Sequence, residues 1–165
     1  QGAMRNAVKK DFRDIYSSPM SQGTRCHQLA TYIVFDSPLV MLCDAPTAYR
    51  KEPECTRFIA GLPVVADETR ILQGKMGEYI VTARRVGEDW IVGGLTDWEA
   101  RTVDLDLSFL PEGMFRAEIF CDGINADKKG EDYRHEYRDV KREDRLKMQL
   151  APGGGFAIRL KKNHN

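Results

Sequence analysis

From Val103 to Phe109 the chain reads VDLDLSF, with Val103, Leu105, Leu107 and Phe109 at every second position. A period of two puts those side chains on one face of a strand. The pattern recurs downstream. FRAEIFC aligns Phe115, Ala117, Ile119 and Cys121, LKMQL aligns Leu146, Met148 and Leu150, and FAIRL aligns Phe156, Ile158 and Leu160. ETRILQ, GEYIVTARR and DWIVGGLT fit further strands, and VGED, PEG, DGINAD and PGGG read as the turns between them. Short strands with one apolar face and tight turns describe a mostly β fold, an antiparallel β-sandwich of about seven or eight strands. Leu105, Leu107, Phe115, Ile119, Met148, Ile158 and Leu160 are its expected inward-facing core.

Before Pro63 the period is helical. Cys26, Leu29, Ala30, Ile33 and Val34 recur at helical spacing, Ser21 or Thr24 is placed to cap the helix, and Pro38 disfavours helix at Ser37. LVMLC (Leu39–Cys43) follows with no alternation, the mark of a strand covered on both faces in a parallel sheet. A second helix fits Pro53 to Gly61, with Cys55, Phe58, Ile59 and Leu62 as its stripe. The chain therefore divides into residues 1–63, a terminal α/β segment resembling the last units of a (β/α)8 barrel, and residues 64–165, the sandwich. The first part is too short to close such a barrel, which takes about 250 residues. The remaining strands of its sheet are expected on sequence upstream. Leu39–Cys43 must then find a substitute partner. Packing of the helices onto the sandwich through the Cys55–Leu62 stripe is favoured, with self-association through residues 24–43 as the second route.

Charge is balanced, with 25 basic and 25 acidic residues in 165. No basic excess points to nucleic acid, and no basic amphipathic helix points to a membrane surface. No apolar run approaches the roughly 18 residues of a spanning helix. The N-terminal QGAMRNAVKKDF lacks the apolar centre of a signal peptide. The four cysteines form no CxxC pair, so no metal site is expected and buried thiols are the simpler reading.

Five ordered blocks, SQGTRCHQLATYIVFDSPLVMLCDAPTAY, ADETRILQGKMGEYIVTARR, DWIVGGLTDW, DGINAD and APGGGFAIRL, together resemble glycoside hydrolase family 97. That is the family of a bacterial α-glucosidase of starch utilisation and related α-galactosidases. The resemblance covers nearly the whole chain and implies the end of the catalytic barrel plus the C-terminal sandwich. It implies hydrolysis of α-glucosidic or α-galactosidic bonds by the full-length enzyme. It also implies calcium bound by barrel glutamates and a periplasmic or extracellular location. The family's catalytic and calcium-binding carboxylates belong to upstream segments, so no catalytic residue and no metal ligand is carried onto this chain. Oligosaccharide would be met only through the rest of the barrel. Glycoside hydrolysis needs two carboxylates flanking one bond, and a terminal βα unit cannot supply both walls. The chain alone is therefore expected to be inactive. The alternative is a stand-alone carbohydrate-binding or structural β-sandwich, which would have no use for residues 20–62.

Several residues could still touch a sugar. Asp44 follows the apolar run, at the strand end where barrels carry their sites, or it shapes a turn before Pro46. Gln22 and Arg25 enter the helix on the same end, where Arg25 lines a cleft or forms a helix-end salt bridge. His27 reads as a structural histidine. Trp90 and Trp98 are the stacking candidates, or they belong to a core or an interface. Asp67 and Glu68 are adjacent, so on a strand they face opposite ways and read as salt-bridge partners. APGGGF lacks the Lys-Ser/Thr of a phosphate loop and reads as a tight turn.

Overall fold

The computed structural model describes residues 5–8, 10–13, 21–37, 39–42 and 44–163. Among them are three helices, α1 (Arg25–Val34), α2 (Pro46–Lys51) and α3 (Pro53–Ala60). Eight strands follow: β1 (Glu68–Lys75), β2 (Tyr79–Val86), β3 (Asp89–Thr96), β4 (Arg101–Asp106), β5 (Phe115–Asp122), β6 (Tyr133–Val140), β7 (Arg145–Leu150) and β8 (Gly155–Lys162). A larger sheet has the order β1-β2-β3-β8-β5-β6, and β4 pairs with β7 in a smaller one. Every pairing is antiparallel. None of the described helices is long and apolar enough to cross a membrane.

The alternation read from sequence places the core. Val103 and Leu105 of β4 and Leu146 and Met148 of β7 face Phe115, Ile119, Ile158 and Leu160 of the larger sheet. All the expected core residues are buried, with Leu105, Leu107, Phe115, Ile158 and Leu160 fully so. The opposite face of the larger sheet is apolar too. Ile91, Phe120 and Ala157 meet Cys26, Leu29 and Ile33 of α1 and Cys55 and Phe58 of α3 in a second cluster. The molecule is thus layered as helices, larger sheet and smaller sheet. At the closest approach of α1, a Cβ on Gly93 would lie 2.9 Å from Ile33 Cβ and 3.1 Å from the Ala30 carbonyl. Only a glycine lets the helix sit that low on β3.

Thr24 caps α1 by accepting a hydrogen bond from the His27 amide at 3.1 Å. Pro53 opens α3 and Gly61 closes it, as their chemistry requires. Both helices dock through the stripes expected of them, including Ile59 and Leu62 at the margin.

Three elements differ from expectation, one of them the short α2, which the sequence reading did not include. Residues 39–42 join no sheet, and Leu39 is 73% and Met41 71% exposed. The expected strand over Leu39–Cys43 is not formed by these four residues, and Cys43 lies outside the described set. A parallel strand exists only through neighbours on its edges, and the described chain supplies none, so the barrel-like part of the fold is not visible here. Strand β6, YRHEYRDV, was absent from the strands read in sequence. It is an edge strand in which Val140 alone is fully buried, so it carries no apolar alternation. Charged side chains along an edge also discourage pairing with another chain.

Candidate functional site

Where α1 meets the sandwich, three of the distinctive sequence blocks converge on Asp122. This residue ends β5 and opens DGINAD. Its Oδ2 accepts hydrogen bonds from the amides of Ala151, at 2.9 Å, and Gly155, at 3.0 Å, on either side of the PGGG turn. A side chain on Gly154 would collide with that oxygen. Gly153 adopts φ +63°, a left-handed conformation that favours glycine, and a Cβ there would lie 2.7 Å from the Trp98 ring. The Gly153 carbonyl accepts from the Thr24 amide at 2.9 Å, which docks the start of α1 onto the turn. His27 completes the joint with Nδ1 3.1 Å from the Gly154 carbonyl. Because a carbonyl only accepts, Nδ1 must carry the proton.

Burial dominates the electrostatics of this joint. It pushes the Asp122 carboxyl up to about 6, against the opposing pull of Thr24 and the two amides. Oδ1 has no hydrogen-bond partner among the described residues. Burial likewise pushes the His27 imidazole below its usual value, favouring the neutral ring. The Cys26 thiol is pushed up by burial and by the neighbouring Asp122 carboxylate, so it rests as an inert thiol. Beside the joint a cleft of about 570 Å³ opens between the sheets, lined in part by Asp122, Asp127, Arg134, Gln149 and Pro152.

The residues singled out in sequence are dispersed around this joint. Arg25 is buried, with Nη1 3.0 Å from Glu52 Oε2 and Nη2 3.9 Å from Glu131 Oε2, and its guanidinium lies 5.8 Å from the Tyr133 ring centroid. That places it in a bridge from α1 to the α2–α3 turn and to the loop before β6. Gln22 is exposed and its carbonyl accepts from Gln28 Nε2 at 3.3 Å. Asp44 is exposed just before α2, with Oδ1 accepting from the Ala45 amide at 2.7 Å. Trp98 lies over Gly153 and is 37% exposed. Trp90 must be corrected. It is 2% exposed inside the sandwich, 5.0 Å from Phe109 and under the Arg70 guanidinium at 5.2 Å, so no sugar can stack on it. Asp67 and Glu68 both reach Arg85, at 3.6 and 3.2 Å.

Sequence reasoning passed over Asp122, because an aspartate in DGINAD reads as a turn residue. The signal that marks it is its position, one residue after the buried Cys121 on a strand that continues the apolar alternation. Among the described residues no group of three or more His, Cys, Asp or Glu is placed to hold a metal ion.

The fold and the joint define an antiparallel sandwich domain built to hold helices against its larger sheet. A family model described as "Glycosyl-hydrolase 97 C-terminal, oligomerisation" matches residues 65–161, and the chain belongs to glycoside hydrolase family 97. It is 57% identical over 161 residues to a protein named retaining alpha-galactosidase from Bacteroides thetaiotaomicron, covering 98% of this chain and 24% of that protein. It is 30% identical over 130 residues to a probable retaining alpha-galactosidase from Streptomyces bingchenggensis, covering 79% and 19%. The fold superposes on a family 97 enzyme in complex with acarbose, from Pseudoalteromonas sp. strain K8. The TM-score is 0.83 at 38% identity, covering 86% of this chain and 23% of that one. The chain therefore spans about a quarter or less of these relatives' length. The resemblance read from the five blocks is borne out, and it is the C-terminal portion that matches.

Proposed function

We propose that this chain works as the C-terminal part of a longer retaining α-galactosidase, in which the sandwich buttresses the catalytic barrel. In this reading residues 1–63 end the barrel and residues 64–165 form the sandwich. The observation that carries it is the second apolar cluster. α1 and α3 are sealed onto the larger sheet, while residues 39–42, which join no sheet, leave large apolar side chains such as Leu39 and Met41 more than two-thirds exposed. Arg84 adds to it. This guanidinium is buried and lies 3.4 Å from the exposed Asp36 carboxylate, yet Nε and Nη2 find no hydrogen-bond partner among the described residues. Upstream barrel strands would cover the first feature and could supply acceptors for the second. The galactoside preference and the retention of configuration rest on the names of the relatives. Retention calls for two carboxylates about 5–5.5 Å apart, and both would come from upstream.

The calcium implied by family resemblance would also be held upstream, since no suitable cluster exists among the residues described here. A chelator should then lower activity of the whole protein without shifting the melting of this chain. A periplasmic or extracellular location follows from the same resemblance and is checked by cell fractionation. The family domain is described as one of oligomerisation, which supports self-association, with residues 24–43 as the contact where no barrel strands cover them.

The test is an assay of two proteins. The whole protein, with its upstream sequence, should hydrolyse aryl α-galactosides faster than aryl α-glucosides and release the α-anomer first. The isolated chain should give no turnover above buffer. Steady turnover by the isolated chain that disappears in Asp44→Asn would move the active site into this chain and overturn the reading.

A further inference from the structure

His135 stands on β6 where the edge of the larger sheet meets α3. Its ring stacks on Phe120 of β5, with centroids 4.1 Å apart and planes inclined by 14°. Both ring nitrogens face carboxylates. Nε2 lies 3.2 Å from Glu118 Oε1 on β5, and Nδ1 lies 3.4 Å from Glu54 Oε2 on α3. The other charged and polar groups around it are accounted for. Glu54 Oε2 accepts from the Tyr133 hydroxyl at 3.1 Å. Glu118 accepts from the Tyr137 hydroxyl at 3.1 Å and has Arg159 Nε of β8 at 3.7 Å. Arg57 of α3 acts on Tyr137 through space.

A neutral imidazole offers one N–H and one lone pair, and an ionised carboxylate only accepts. Nε2 is hydrogen-bonded to Glu118 while Nδ1 stands at ion-pair distance from Glu54, and both contacts are attractive together only when the ring is protonated. On losing a proton the ring must turn a lone pair toward one carboxylate. The Glu118 side chain is 18% exposed and keeps Tyr137 and Arg159, whereas the Glu54 side chain is 45% exposed and can be taken up by water. The contact that breaks is therefore the one to Glu54.

We propose that His135 is a pH-dependent latch. As an imidazolium it ties α3 to the larger sheet, and when it deprotonates it releases Glu54 and loosens the helix. Since α3 is one of the two helices docked on that sheet, the tightness of the helix–sandwich joint would follow the protonation of one side chain. The argument stands on the geometry alone and is independent of the proposed substrate.

Hydrogen exchange of the α3 amides in the full chain, corrected for intrinsic rates, tests it. Protection over residues 53–60 should fall about fivefold between about pH 5.5 and about pH 8, the scale of one partly exposed ion pair. In His135→Gln and in Glu54→Gln that pH dependence should vanish while strand amides keep their protection. Two variants guard against loss of fold in either one. An unchanged pH dependence in both would overturn the latch. So would nitrogen chemical shifts showing one neutral tautomer of His135 throughout that range.

Discussion

Asp122 and Gly155 are joined by a hydrogen bond of 3.0 Å from the Gly155 amide to Oδ2, at a point where the carboxylate has little water around it. That bond holds the start of β8 against the end of β5, and the turn it fixes receives α1.

The same carboxylate should make stability depend on pH. Its value in the fold is about 6, raised from 3.8 by burial. A raised value means that the folded state holds the proton more tightly than the unfolded chain. The contribution is complete below the unfolded value and is lost as pH rises through about 6. A shift of this size corresponds to about 3 kcal/mol. Asp122→Asn keeps an oxygen for the two amides and carries no charge. In urea titrations at about pH 4.5 and about pH 8, the variant should lose less stability than the parent and should be the more stable at the higher pH. Parallel losses in the two proteins would show that Asp122 is solvated.

Phe115 is fully buried between the sheets. Phe115→Ala should cost roughly 3–5 kcal/mol by loss of transfer energy and by the cavity it leaves. Chemical denaturation checks this, and a cost below about 1 kcal/mol would mean that the site is exposed.

Gly93 tests the joint from the other side. Gly93→Ala adds a methyl 2.9 Å from Ile33 Cβ, so α1 must lift from β3. Overpacking of this kind costs about 1–3 kcal/mol. Amide exchange should rise over residues 25–34 before it rises in the strands. Uniform loss of protection would mean that the helix and the sheets open as one unit.

Val40 is 41% exposed in the apolar run that follows α1. If copies of this chain associate through that run, light scattering should show a dimer that Val40→Lys dissociates. A dimer indifferent to the substitution would place the contact elsewhere, and a monomer at all concentrations would remove self-association of this chain.

The sandwich was legible because burial on one face writes a period of two. Leu105 and Leu107, or Ile158 and Leu160, need no partner in view to declare themselves. The helices were legible through Thr24, Pro53 and Gly61, whose chemistry acts locally. β6 was illegible because Arg134, Glu136 and Arg138 lie on an edge strand, where polar side chains are tolerated in either direction. The six-residue α2 went unread because it has no buried residue to set a period. The run 39–42 misled because an unbroken apolar stretch reads as a covered strand, whereas these residues join no sheet and stay exposed. Of the candidate site, Trp90 was misplaced because an aromatic at a strand start looks alike whether it faces in or out. The convergence of Thr24, Asp122 and Gly155 is a long-range fact that no local pattern encodes.

The larger sheet is apolar on both faces, and that governs how such a sandwich can be exchanged between enzymes. A cut at residue 64 would strip Ile91, Phe120 and Ala157 of their cover and leave a sticky protein. A graft that keeps its solubility must carry residues 24–62 along with it. The unit to transfer is then the sandwich together with its two docked helices, with the seam placed before residue 24 rather than at residue 64.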